Sequence, residues 1–159
     1  MARIKEHVAQ QQRAARPVEL SSPGEWTDTR PRTRTHALPR QPASVAAARH
    51  RVRGELRDSD LPSELCDLAE LVVSELVTNA VLRTESSVVR CTARVFARGV
   101  RVEVTDDGPP PGTMQTGNGM FLVDRIARAW GSEPDRGSGR RTVWASVCLP
   151  DAASGIGRQ

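Results

Sequence analysis

Apolar residues recur along this chain with two periods, and the switches between the periods mark the elements. Residues 32–38, RTRTHAL, alternate weakly and predict an edge strand, with Pro39 and Pro42 bounding a turn. Ser44 is the expected N-cap of a helix over 45–57. On that helix Val45, Ala48, Val52 and Leu56 share one face, while Arg49, Arg51, Arg53 and Arg57 fall mostly off it and read as a solvated face. The segment 63–82, SELCDLAELVVSELVTNAVL, is apolar around most of its circumference, which predicts a helix buried on most sides. Strict alternation follows. Val89, Cys91, Ala93 and Val95 share one face of a strand; after a turn at Arg98-Gly99, Val100, Val102 and Val104 share a face of the next, and Asp106 continues that face by parity. Helical spacing returns at 119–130, with Met120, Val123, Ile126, Ala127 and Trp130 on one side. A short strand over 131–136, a turn at Gly137-Ser138-Gly139 and an alternating strand at 142–149 complete the pattern.

Strands joined by short turns pair antiparallel, and helices with one apolar face must cover them. The expected architecture is α+β, a two-layer α/β sandwich with a mostly antiparallel sheet and helices on one face. It occupies residues 32–150. Residues 1–31, rich in Arg, Gln, Pro and Ser without a sustained apolar period, are expected to form a disordered basic extension, and 151–159 a flexible tail.

Composition narrows the chemistry. Residues 1–57 carry 12 basic and 5 acidic side chains, and residues 58–159 carry 11 and 14, so the overall charge of +4 belongs to the N-terminal third. That basic tail is read as a solvated extension; nucleic-acid binding has no recognition motif to support it. The chain has a single lysine, Lys5, which excludes a Walker A loop and the strand lysine of eukaryotic-type kinases. Cys66, Cys91 and Cys148 form no CxxC pair and sit among apolar residues, so buried thiols in a reducing cytoplasm are expected rather than zinc. The N-terminal MARIKEHVAQQQRAARP lacks an apolar run, and no apolar stretch approaches the length of a membrane span. His7, His36 and His50 show no ligand spacing and read as exposed. Trp130 and Trp144 read as packing residues.

Three local features carry chemistry. Glu75 and Asn79 stand four apart on the buried helix, about 6 Å along its axis and about 40° around it, so both side chains reach one cavity. A buried carboxylate needs compensation, and the Asn carbonyl is a hard ligand suited to Mg²⁺. Asp106 ends the inward-facing valine strand, where a carboxylate accepts from an exocyclic amine; Asp107 is expected to look the other way. Gly117 and Gly119 flank Asn118 directly before a helix start, a place where backbone N–H groups approach phosphate. Taken singly, each feature also fits a solvated helix edge, a turn-initiating Asp or an ordinary loop.

Taken together, in this order, they resemble the GHKL ATP-binding superfamily, which includes gyrase and the histidine kinases and has the Bergerat fold. VSELVTNAV, VEVTDDGP, GNGMFLVDRIARAWG and TVWASVCLP are most similar to the small bacterial anti-sigma-factor serine/threonine kinases, over roughly residues 40–150. The resemblance implies that Asn79 binds Mg²⁺ and Glu75 is the general base or orients the attacking group. It implies that Asp106 binds adenine and Gly108 lets the base approach. Gly117 and Gly119 would contact the phosphates, and Thr142 would lie near the adenine. The implied cofactors are ATP and Mg²⁺. The implied partners are a sigma factor and an anti-sigma-factor antagonist, with a homodimer also suggested. Two positions depart from the pattern: Pro110 stands where the family often has Gly, and Arg83-Thr84 follow the N-box where the small kinases often have His. A non-catalytic ATP-binding partner-switch module is therefore the alternative to a kinase. A detached histidine-kinase catalytic domain is a more distant one, because none of the three histidines lies on a convincing helical hairpin.

Overall fold

The computed structural model describes residues 32–107, 120–134 and 137–149. In chain order these form β1 (Arg32–Pro39), α1 (Ala43–Arg57), α2 (Ser63–Arg83), β2 (Val88–Val95), β3 (Gly99–Asp106), α3 (Met120–Ile126), β4 (Ala129–Pro134) and β5 (Arg141–Cys148). The strands make one sheet in the order β1-β2-β3-β5-β4, every neighbouring pair antiparallel. The helices cover one face of it, giving the expected two-layer α+β sandwich. The expected extension 1–31 and tail 151–159 lie outside the described residues.

The core is the seam between the inward valines and α2. Register pairs Cys91 with Val104, Ala93 with Val102 and Val95 with Val100, and pairs those β3 valines with Val143, Ala145 and Val147 of β5. Against this stripe α2 buries Leu65, Ala69, Val72, Val73, Leu76, Val77 and Ala80. Val52 and Leu56 of α1, which packs beside α2 on β1 and β2, complete the core. Between β4 and β5, Gly137 (φ 106°) and Gly139 (φ 71°) take left-handed conformations that side chains disfavour, which places the turn where the glycines are.

Three local expectations are corrected. Ser44 is not an N-cap: the helix begins at Ala43, and the Ser44 hydroxyl instead donates to the carbonyl of Pro39 at 2.5 Å. The helix read over 119–130 ends at Ile126. Trp130 matches the helical period but lies on β4 opposite Ala145, and its indole N–H reaches back to Asp124 at 2.8 Å. Pairing with β5 overrides the apolar spacing here. His36 is half-buried rather than exposed, with Nε2 paired to the Glu55 carboxylate of α1. Of the α1 arginines, Arg53 is ion-paired with Glu70 at 2.9 Å.

On the outer face the Trp144 indole is nearly fully covered, with the Arg101 guanidinium 4.2 Å from its ring centroid. Arg101 and Arg94 both donate to Glu103, at 3.0 and 3.1 Å. Among the described residues no helix is long and apolar enough to cross a membrane.

Two outcomes follow from this packing. Leu76→Ala, at the centre of the seam, should cost about 2–5 kcal/mol in urea unfolding, whereas Leu82→Ala, at a residue that is 75% exposed, should fall within about 0.5 kcal/mol of wild type. Burial, with a smaller contribution from Glu55, pushes the Cys91 thiol up to about 12 from 9.0. The folded pKa is raised, so its stabilising contribution is intact below pH 9 and is lost as the pH climbs towards 12. Alkylation with iodoacetamide at pH 8 should leave Cys91 unmodified until denaturant unfolds the chain.

Candidate nucleotide site

The helix that fills the core also carries the polar stripe. Glu75, Asn79 and Arg83 follow one another at intervals of four on α2, spanning about 12 Å along the helix. All three are half-buried, on a helix whose other faces are taken up by α1 and the sheet. Asn79 donates its amide N–H to the Met120 sulfur at 3.3 Å, joining α2 to the start of α3 and leaving its carbonyl oxygen for another partner.

The sheet carries a second group of polar residues. Asp106 ends β3 on the helix-facing side and is 9% exposed. Its register partner is Arg141, the first residue of β5. Arg141 Nε donates to Ser132 Oγ at 2.5 Å. Burial pushes the Arg141 guanidinium below its ordinary pKa; the Asp106 carboxylate opposes that shift and the Arg83 charge adds to it. Arg83, Asp106 and Arg141 thus share one electrostatic neighbourhood at the end of the core.

Thr142 is set apart from this group. Strand alternation that turns Val143 inward turns Thr142 outward, and its hydroxyl lies 2.8 Å from that of Thr105 on the outer face. Gly108, Gly117 and Gly119, together with Pro110, lie outside the described residues. Of the described residues that border them, Asp107 follows β3 and Met120 lies beside Asn79.

A second tie fixes the end of β3. Buried Ser86, between α2 and β2, donates through Oγ to the Asp107 carboxylate at 2.6 Å and accepts from the Asp107 N–H at 3.0 Å. Ser86 N–H in turn donates to Thr84 Oγ1 at 3.0 Å, and Arg40 clamps the same segment through the carbonyls of Thr84 and Ser87. Asp107 therefore looks away from Asp106 yet holds the strand end that carries it. The sequence reading missed Ser86 and Arg141. ESSV is an ordinary helix–strand connection, and Arg141 becomes visible only once β5 is paired with β3.

The sequence matches the profile of the histidine kinase-like ATPase domain over residues 38–146, well over half of the chain. The chain belongs to the histidine kinase-like ATPase domain family. ATP binding goes with that family. Among solved structures, 17 chains match. One is the crystal structure of the RsbU and RsbW domains of Rv1364c from Mycobacterium tuberculosis, with a TM-score of 0.60 at 17% identity. That match covers 74% of this chain and 32% of the other, so this ATPase-like domain spans about a third of its neighbour and shares its fold. No curated protein matches the chain.

The donor set of the domain fits Mg²⁺ in one particular way. No group of three or more His, Cys, Asp or Glu side chains capable of holding a metal exists among the described residues. An Asn carbonyl on a half-buried stripe suits a cation that keeps several waters and takes its remaining ligands from nucleotide phosphates.

Ser86→Ala should lower stability by about 1 kcal/mol in urea unfolding, because the Asp107 carboxylate and N–H both lose their buried partner. The same variant should weaken ATP binding less than Asp106→Ala does, as measured by calorimetric titration.

Proposed function

We propose that this domain binds Mg·ATP and transfers the γ-phosphoryl group to a serine or threonine hydroxyl of a partner protein, as an anti-sigma-factor-type kinase in transcriptional partner switching. The observation that supports the proposal is the half-buried Glu75–Asn79 stripe on α2, together with buried Asp106 at the helix-facing end of β3, within a histidine kinase-like ATPase domain. The resemblance of VSELVTNAV and GNGMFLVDRIARAWG to the small anti-sigma-factor kinases directs the choice of reaction.

In this reading Asp106 accepts from the adenine amine, and its near-complete burial makes that hydrogen bond selective. Gly108 gives the base room beside Asp106, and Gly117 and Gly119 contact the phosphates. The Asn79 carbonyl oxygen would hold Mg²⁺, which neutralises phosphate charge and orients the γ-phosphoryl group. Glu75, one turn earlier on α2, orients the incoming hydroxyl and accepts its proton. The bond from phosphorus to the β–γ bridging oxygen breaks, ADP leaves, and the phosphoester forms on the acceptor oxygen. Arg83, one turn beyond Asn79, places positive charge at the same end of the stripe. Catalysis then rests on positioning and electrostatics. The partners would be a sigma factor and an anti-sigma-factor antagonist.

A second reading, an ATP-gated binding module without transfer, draws on Thr84. The small kinases often carry a His shortly after the N-box Asn, and this stretch is Arg83-Thr84 here. The Thr84 hydroxyl is buried and already accepts the Ser86 N–H.

Calorimetric titration with ATP and Mg²⁺ separates binding from chemistry. Asn79→Ala is expected to weaken binding by roughly 10–100-fold. Glu75→Gln should bind ATP within about twofold of wild type but transfer label from γ-labelled ATP to a purified anti-sigma-factor antagonist roughly 10²–10⁴-fold more slowly. Binding by the wild type without any labelled antagonist would favour the module, and absence of binding at millimolar ATP would sink both readings.

A further inference from the structure

Beside Asp106 the structure places a donor that the family resemblance did not lead us to expect. Asp106 and Arg141 are direct partners across the β3–β5 ladder and share the helix-facing side of the sheet. Facing Cβ atoms in such a pair are about 5 Å apart, close to the reach needed for two side chains to address neighbouring atoms of one base. Ser132 of β4 takes Arg141 Nε at 2.5 Å, which fixes the fork of the guanidinium and leaves its terminal N–H groups for other acceptors. Arg83 approaches from α2, its charge opposing that of Arg141. Thr142, the residue the resemblance assigned to this place, is on the other face.

An acidic acceptor and a basic donor side by side match the Watson–Crick edge of adenine, where the N6 amine donates and the adjacent N1 accepts. We propose that Arg141 is the second reader of the base, donating to adenine N1 while Asp106 accepts from N6. This rests on the ATP-binding reading above. The carboxylate has about four lone-pair sites and the guanidinium five N–H groups, of which Ser132 takes one, so each side chain has capacity to contact the base. Guanine in the same pose sets O6 against the Asp106 carboxylate and N1–H against the Arg141 guanidinium, and both contacts repel. Arg141 thereby helps exclude GTP.

The test uses the full chain, Mg²⁺ and three nucleotides: ATP, 1-deaza-ATP (which lacks the N1 acceptor) and GTP. Wild type is expected to bind 1-deaza-ATP about tenfold more weakly than ATP. Arg141→Ala should bind ATP about tenfold more weakly than wild type, no longer distinguish ATP from 1-deaza-ATP, and discriminate less against GTP. Arg141→Gln, whose amide still donates, should recover part of the difference between the two adenine nucleotides. If Arg141→Ala fails to fold, the wild-type ratio and the Gln variant decide. Equal binding of ATP and 1-deaza-ATP by wild type overturns the assignment while leaving ATP binding standing. So does an Arg141→Ala variant that keeps the wild-type ratio, or one that binds ATP more tightly and so identifies the guanidinium as a competitor for Asp106. Failure of wild type to bind ATP at all overturns the functional reading together with the assignment.

Discussion

Helix α2 has to satisfy two demands at once. It packs against α1, α3 and the sheet at once, which requires apolar residues around most of its circumference, and Leu65, Ala69, Val72, Val73, Leu76, Val77 and Ala80 meet that requirement. The remaining strip carries Glu75, Asn79 and Arg83. Rotating the helix to expose or bury that strip differently would pull several fully buried side chains out of a close-packed seam, at a few kcal/mol each. The packing that stabilises the fold therefore also fixes where the polar stripe points. Stability and site geometry share one interface.

The sheet contributes by parity. Because side chains alternate strictly, the register that turns Val100, Val102 and Val104 towards α2 also delivers Asp106 to the end of the same face. The antiparallel β3–β5 ladder then sets Arg141 opposite it and sends Thr142 to the outer surface. The end of β3 is fastened to the connection that leaves α2 by side-chain hydrogen bonds beyond the last ladder pair: those between Ser86 and Asp107 are reciprocal, and Thr84 and Arg40 back them.

In the proposed reading the two layers divide the labour of binding Mg·ATP. The helix layer offers a carboxylate and an amide at one-turn spacing, suited to a cation, phosphates and an incoming hydroxyl. The sheet layer offers a buried carboxylate beside a guanidinium, suited to the edge of a base.

The amino-acid pattern alone determined the element order, the antiparallel hairpins, the two-layer architecture and the inward position of Asp106, because each follows from a period of 2 or 3.6 over several consecutive turns or strand residues. The spacing of Glu75 and Asn79 was likewise legible, since helix geometry puts residues four apart on one side. Tertiary structure decided what these periods leave open. Trp130 satisfies a helical spacing, yet pairing with β5 makes it a strand residue. Ser44 has the right chemistry for a cap, but the helix starts two residues earlier than expected, at Ala43, and the Ser44 hydroxyl goes to the carbonyl of Pro39. His36 reads as a polar residue on an exposed strand until α1 brings Glu55 to it. Arg141 has no local signal at all: its neighbours Asp106, Ser132 and Arg83 come from three other elements. Local spacing fixes which side of its own element a residue occupies; which residues meet across elements depends on the order and register of the strands, and those are set by burying the whole apolar face at once.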